Sequence, residues 1–405
     1  MLKPSDLTWD DVTRVGPGTL GGNYLRSFWW PIALADEVRD IPVPVKILGE
    51  ELVLFRDLTG HLCLLDGHCP HRRASLEYGR IEEQGIRCAY HGWYLDRQGR
   101  VLDRPAEPIK QTAQIRQNWY PVQELGGFMF AYMGPHRENP PPLPRYDVLV
   151  IDGHRIAERG DAEAGKAYNC NWLQGVENTT DTTHLTYLHG FSDRCPIFTA
   201  VENEYGVKLY ILAPGSKPNT VKLRKRCTVV PTINRKSREP RAGRTQRPPI
   251  PVQQAIWVVP IDDTHCEEMR ITVYPEPPKE RRYHGVDVDA AKARERKPYD
   301  RRLYGEIRGI VPLEDKAMVE SQGPIVDRTL EHPGYGDRAI LLLRKMIREG
   351  IADVANGRKP KGVLEKNVDM IDLDIGFEEF ELDKVPDVAR GLLAEFQQQD
   401  QRAAG

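Results

Sequence analysis

The chain has 405 residues, 40% of them hydrophobic, and 57 Lys and Arg against 59 Asp and Glu leave a net charge of −2 at pH 7. That length allows two or three core-sized units, and the even charge balance offers no field to draw the whole molecule onto nucleic acid or an anionic membrane. No run approaches the eighteen or so apolar residues of a membrane span; the best, Phe28-Trp-Trp-Pro-Ile-Ala-Leu-Ala35, is interrupted by Pro31.

The first residues, Met1-Leu-Lys-Pro-Ser-Asp-Leu-Thr-Trp-Asp-Asp11, lack a basic start followed by an apolar block, so no signal peptide is expected. Seven cysteines form an odd count without a disulfide rhythm. Cys63, Cys170, Cys195, Cys227 and Cys266 are therefore expected to be reduced thiols of a cytoplasmic protein. Residues 1–42 read as helical and loop segments, an arm packing on the later domain. From Val43 the period switches to strands, at Val43-Pro-Val-Lys-Ile-Leu48, Glu51-Leu-Val-Leu-Phe55, His61-Leu-Cys-Leu-Leu65 and Gly85-Ile-Arg-Cys88. Strand pieces continue through Gly127-Phe-Met-Phe-Ala-Tyr-Met133. Together they predict a small antiparallel β domain over 43–138.

Inside that domain stand Cys69-Pro-His71 and, after sixteen residues, Cys88-Ala-Tyr-His91-Gly-Trp93. Each pair reads as the tip of a β-hairpin. Two thiolates for one iron and two imidazoles for the other are the ligand set of a high-potential [2Fe-2S] cluster. The rival is structural zinc, which also accepts two Cys and two His. Zinc fingers usually place both Cys before both His, whereas here the pairs are mixed. Trp93 is expected to pack over the cluster, with ordinary core packing as the plainer alternative.

Asn139-Pro-Pro-Pro-Leu-Pro144 reads as a stiff linker and marks the start of a second domain, 139–405. There Asn171-Trp-Leu-Gln-Gly-Val-Glu-Asn178-Thr-Thr-Asp181-Thr-Thr-His184-Leu-Thr-Tyr-Leu-His189 predicts a helix. Asp181 and His184, one turn apart, would share a face, and Gly190 suits a helix that loosens or ends. Two imidazoles and one carboxylate bind one face of a non-haem Fe(II) and leave the other for dioxygen and substrate. Two histidines alone would more simply be surface residues, but an electron-donating cluster upstream gives an electron-consuming iron its purpose. The residues by themselves leave the carboxylate open among Asp315, Glu314, Asp327 and Asp337. Strand-like runs follow at Lys208–Leu212, Ala255–Val259 and Met269–Tyr274, and helices at 313–321, 337–349 and, more weakly, 387–398. Residues 222–247 hold ten Lys and Arg against Glu239 alone. This stretch could receive a carboxylated aromatic, dock an acidic ferredoxin or reductase, or be a solvated loop.

These motifs, with Arg14-Val-Gly-Pro-Gly-Thr19, Tyr24-Leu-Arg-Ser-Phe-Trp-Trp-Pro31, Glu314-Asp315-Lys316 and Asp327-Arg-Thr-Leu-Glu-His332, give the chain its resemblance to the oxygenase (α) component of Rieske non-haem iron oxygenases. It resembles in particular the phthalate-dioxygenase-like group, which includes aromatic-acid O-demethylases. The resemblance implies an α+β fold: a small antiparallel β Rieske domain and a helix-covered antiparallel-sheet (helix-grip, START-like) catalytic domain. It implies a cluster on Cys69, His71, Cys88 and His91, and mononuclear Fe(II) on His184, His189 and Asp315. Asp181 would not bind iron but would bridge a Rieske histidine of one subunit to an iron-ligand histidine of its neighbour, which demands a ring, most simply a homotrimer. Asn178 is expected to hydrogen-bond near the iron, a helix cap being the plainer reading. The family's Asp-Pro-x-His is broken here by Thr182, a local backbone difference.

The resemblance further implies O2-dependent oxidation of an aromatic acid, with a lean to oxidative O-demethylation of a methoxylated, lignin-type carboxylate and release of formaldehyde. Ring hydroxylation or cis-dihydroxylation of a phthalate-like acid is the alternative. No flavin motif or Gly-x-Gly-x-x-Gly loop is apparent, so a separate reductase, with or without a ferredoxin, is expected. A Rieske electron carrier, which has no use for His184, His189 and Asp315, and a zinc-stabilised scaffold, which would be colourless, are the readings from other classes.

Overall fold

In the computed structural model, residues 1–108, 114–160, 165, 167–190, 194–238, 252–277 and 309–404 are described, without the side chains from 399 onward. Helix α1 (Trp9–Thr13) starts in a capping box: Thr8 accepts from the Asp11 amide, and the Asp11 carboxylate accepts from the Thr8 amide. Helix α2 (Leu20–Arg26) follows. The expectation of helix and loop throughout 1–42 does not hold beyond it, because Trp29–Leu34 forms strand β1, buried at five of its six residues. Its partner is the fully buried β11 (Phe128–Tyr132), which also pairs with β10 (Val122–Leu125). Pro31 sits where the register shifts, a place where a strand tolerates its missing N–H.

Two four-stranded antiparallel sheets carry the first motif. One orders β2 (Val43–Ile47), β3 (Glu50–Arg56), β4 (Leu62–Asp66) and β9 (Trp119–Tyr120); the other β5 (Arg80–Glu82), β6 (Gly85–Arg87), β7 (Tyr94–Asp96) and β8 (Val101–Asp103). Alternate residues from both sheets, among them Val53, Phe55, Leu65, Ile86 and Leu95, meet in one core.

The largest sheet is antiparallel and open. Its order is β12 (His154–Arg159), β19 (His265–Tyr274), β18 (Val252–Asp262), β17 (Ile233–Arg238), β16 (Thr220–Val229), β15 (Gly206–Pro214), β14 (Ile197–Glu202); β13 (Ala167–Tyr168) adds to β19 and β20 (Gly376–Glu381) to β16. One face packs toward β11 through Trp257 against Phe128 and Phe130, and through buried Arg235 paired with Asp147 at 2.7 Å. Asp147 opens the short α3 (Asp147–Val150). The opposite face receives α4 (Trp172–Thr180): Thr228 and Thr180 hydroxyls lie 3.0 Å apart, and Asn234 Nδ2 donates to Thr179 O at 2.8 Å. Helix α5 (His184–Tyr187) follows, then α6 (Val311–Ser321) and the long α7 (Arg338–Ala355). α7 buries Leu343, Ile347 and Ile351 in the core that also holds Val12 and Tyr24. Helices α8 (Asp387–Arg390) and α9 (Leu393–Ala404) cover Ile197, Leu212, Val221 and Leu223 with Leu392 and Phe396. The basic run therefore lies on strands as far as Arg238, not on a solvated loop; Arg241, Arg244 and Arg247 fall outside the described residues. No helix among the described residues is long and apolar enough to cross a membrane.

Candidate metal centres

Cys69 and His71 stand on a loop leading from β4, closed by a bridge between His68 and Ser75 and by Cys69 N donating to Ala74 O at 2.8 Å. Cys88 and His91 form the tip of the β6–β7 hairpin. Its turn is tight because Cys88 N reaches Trp93 O at 2.8 Å and Gly92 N reaches Cys88 O at 3.0 Å, with Gly92 at φ +75°. Both thiols are buried. Burial, together with the neighbouring Cys88, pushes the Cys69 thiol up to about 11. The two imidazoles meet edge to face at 4.6 Å, and Trp93 stacks flat on His71 at 4.7 Å.

His71 Nδ1 is buried without a hydrogen-bond partner. An orphaned polar atom is costly unless something fills it, and a metal–nitrogen bond would. One residue not singled out in the sequence holds the hairpin in shape. Arg87, next to Cys88, binds both Glu82 oxygens at 2.7 and 3.0 Å, Asp103 at 3.0 Å and the Gly92 carbonyl at 2.7 Å.

At the second motif the chain does not run as one helix. Helix α4 ends at Thr180, and Asp181 is extended at φ −62° and ψ 138°. The Asp181 carboxylate explains the break: it accepts from Thr183 N at 2.7 Å and His184 N at 3.2 Å, turning the chain into α5. It also lies 3.1 Å from His184 Nδ1, so the expected contact forms through a turn and not along a helix face. Gly190, at φ +61°, ends the segment after His189.

The other ring nitrogens converge on the first turns of α6. His189 Nε2 is 3.1 Å and His184 Nε2 3.6 Å from Asp315 Oδ1. His184, His189 and Asp315 form the one group of three or more His, Cys, Asp or Glu, among the described residues, whose ligand atoms all lie within 4.8 Å of one another. Asn178 Nδ2 donates to Asp315 Oδ1 at 3.2 Å, so Asn178 belongs to the same cluster and caps nothing. Asp327 and Asp337 stand apart, accepting from Thr329 and from Gly334 in their own loops.

Glu314 takes a different part: its Oε2 lies 2.7 Å from His189 Nδ1, with side-chain exposures of 1% and 0%. Burial alone would lower the His189 imidazole, but Asp315 and Glu314 outweigh it and hold it at about 9. A metal ion would take the place of that proton. Burial likewise works to raise the Asp181 carboxyl, and its bonds to His184 and Thr183 hold it below the ordinary range. Beneath the site Glu177 of α4 binds Arg328 at 2.8 Å and Arg344 at 2.6 Å. Arg328 thus braces α4, the helix that ends just before Asp181.

The chain is similar to known proteins over most of its length. A family model, the Rieske [2Fe-2S] domain, matches residues 28–115. The tert-butanol monooxygenase / tert-amyl alcohol desaturase oxygenase subunit of Aquincola tertiaricarbonis is 32% identical over 392 residues, covering 85% of this chain and 77% of that protein. The phenoxybenzoate dioxygenase α subunit of Ectopseudomonas oleovorans is 33% identical, covering 87% of each. The 5,5'-dehydrodivanillate O-demethylase oxygenase subunit of Sphingobium sp. is 31% identical, covering 88% of this chain and 82% of that one. Pseudomonas putida CBB5 NdmA, solved with caffeine, shares the fold at a TM-score of 0.62 and 18% identity, over 85% of this chain and 97% of its own.

Proposed function

The chain belongs to the Rieske non-haem iron oxygenases as an oxygenase component, and from that premise we propose that it oxidises an aromatic acid with O2 at the His184, His189 and Asp315 site. In this reading Cys69, Cys88, His71 and His91 hold the [2Fe-2S] cluster in a unit spanning 43–138. The mononuclear Fe(II) belongs to 139–405, on which 1–42 packs as an arm. When bound, the cluster stores and passes single electrons, and the ferrous ion supplies the site at which O2 is activated. No three of the four Rieske residues come within the 4.8 Å ligand spacing that the second site shows, which speaks against one tetrahedral zinc.

The chain's own side chains do the positioning. Asp181 and Glu314 hold the Nδ1 atoms of His184 and His189, leaving both Nε2 atoms to face Asp315. Asn178 restrains the Asp315 oxygen. Asp181, with 19% of its side chain exposed, would reach across a subunit boundary to a Rieske histidine, in a ring that is most simply a homotrimer. Electrons would come from NAD(P)H through a separate reductase, directly or by way of a ferredoxin. The convergence of His184, His189 and Asp315 carries the oxygenase reading over a bare electron carrier, which needs none of them.

For the reaction we take oxidative O-demethylation of a methoxylated aromatic carboxylate, supported by likeness to an O-demethylase subunit. ArOCH3, O2 and NAD(P)H with one proton give ArOH, formaldehyde, water and NAD(P)+. A similar likeness to a dioxygenase subunit supports ring hydroxylation as the second reading. O2 uptake with a donor system and a panel of methoxybenzoates tests the pair: formaldehyde equal to O2 consumed supports demethylation, and a diol or phenol without formaldehyde removes it.

A further inference from the structure

The basic run divides between the two faces of the large sheet. Side chains alternate along a strand, so Lys225 and Arg235 face away from α4. There Lys225 meets Asp374 and Glu378, and Arg235 meets Asp147. Arg226 and Lys236 face the other way. Arg226 is two residues from Thr228 on β16, and Lys236 two from Asn234 on β17. Thr228 and Asn234 are cross-strand partners, and both hydrogen-bond to the last turn of α4. The two cations therefore stand one row along the same face, next to the turn from which Asp181 and His184 emerge.

The rest of this row is polar and inward. Lys236 pairs across to Gln254, which pairs with Thr272 and donates to its hydroxyl at 3.1 Å. Arg270, in the neighbouring row, is bonded to Glu268 at 2.7 Å. Strand β19, which carries both, also pairs through Cys266 with Tyr168. The Tyr168 ring lies 5.0 Å from Lys316, the residue after Asp315. Strand β19 thus connects, through its neighbours, the Tyr168–Lys316 contact beside Asp315 with the row that holds Lys236.

No hydrogen bond or ion pair joins Arg226 or Lys236 to a carboxylate among the described residues, although both are only partly accessible; Glu268, further along the same face, acts on Lys236 through its charge alone. Like charges placed together out of water repel and lose hydration. Burial lowers Lys236 well below its ordinary value, and Arg238, Arg226 and Arg270 add to the effect against the opposing charge of Glu268. A docking surface for an acidic protein would need these groups outward, and they stand on the sheet face that packs against α4. Among the described residues the row itself, Arg226, Lys236, Gln254 and Thr272, holds no anion.

We propose that Arg226 and Lys236 form the subsite that receives the substrate's anionic group, a carboxylate on an aromatic ring, and so determine the enzyme's preference for acids. The inference rests on the oxygenase reading and names the charged end of its substrate. A guanidinium offers a carboxylate two parallel donors and an ammonium adds a point charge, so the pair suits a planar anion better than a neutral ring.

The test is calorimetric titration of the iron-loaded holoenzyme with benzoate and with benzamide, which share shape and differ in charge. Benzoate should bind about tenfold or more tightly than benzamide in the wild type. Arg226→Gln and Lys236→Gln should each remove most of that preference while leaving benzamide unchanged, and Arg226→Lys should restore part of it. Because neither cation has a hydrogen-bonded or ion-paired carboxylate among the described residues, the Gln variants should melt at or above the wild-type temperature, so loss of folding would itself count against the assignment. Equal affinity for the two probes in the wild type, no uptake of either, or variants that keep the preference overturns it. Failure of the oxygenase reading looks different: protein lacking acid-labile sulfide or mononuclear iron, whatever it binds.

Discussion

Glu314 and Asp315 are adjacent acids whose tasks diverge because successive helix residues point about 100° apart. One meets Nδ1 of His189 and the other meets Nε2. From the sequence both were candidate ligands, since a string of letters carries no direction; the resemblance favoured Asp315, and the geometry brings Asp315 into the cluster. Glu314→Gln should leave the cluster's visible spectrum intact and weaken mononuclear iron retention by about ten- to a hundredfold, as loss of an orienting partner does. Iron counted after dialysis against a chelator checks it, and unchanged retention would remove Glu314 from the site. A second residue prediction concerns acid. Burial pushes the Asp57 carboxyl up, but bonds from Arg97, Thr59 and the His61 amide outweigh it and hold it below its ordinary 3.8. A carboxyl lowered on folding stabilises fully above its unfolded pKa and loses that contribution as pH falls through the folded one. Asp57→Asn should therefore cost about 1–3 kcal/mol at pH 7 and flatten the loss of stability below about pH 4. Denaturant melts at pH 7 and pH 3 would show it; equal destabilisation at both would contradict it.

At the scale of elements, legibility followed the periodicity. Strands β2, β3, β4 and β11 are visible as apolar alternation or as short apolar runs, and α6 from its start at Pro312. Three features were not legible, each for a physical reason. β1 was hidden because Pro31 interrupts an apolar run, and only the structure shows the register shift that accommodates it. β16 and β17 were hidden because their inner face carries Lys and Arg toward the molecule's own interior, where the usual apolar pattern fails. The break between α4 and α5 was hidden because Asp181 bonds amides two and three residues on, competing with the helix by a side-chain contact. The N-terminal segment is tied to the fold by helix packing: a Cβ on Gly350 of α7 would collide with the Tyr24 ring of α2. Gly350→Ala should destabilise by about 1–3 kcal/mol through overpacking, read as a lowered melting temperature with the iron content of the folded protein unchanged. A neutral or higher melting temperature would mean that α2 does not rest there.

At the scale of the whole molecule, the account depends on two centres acting as one machine. The histidine tip of the cluster loop is partly accessible, beside Tyr90 at 61% exposure, and Asp181 reaches the surface at the other centre. Asp181→Asn should keep both metal contents while lowering donor-driven turnover by about ten- to a hundredfold; undiminished turnover would remove the proposed relay. The most direct test of the central claim is the count of iron and acid-labile sulfide in the wild type and in His189→Ala, each with its absorption spectrum. The wild type should hold about three irons and two sulfides per chain, the sum of a two-iron cluster and one mononuclear site. The variant should hold about two of each with the cluster spectrum unchanged. A variant that keeps the third iron, or that loses sulfide along with it, would contradict the account.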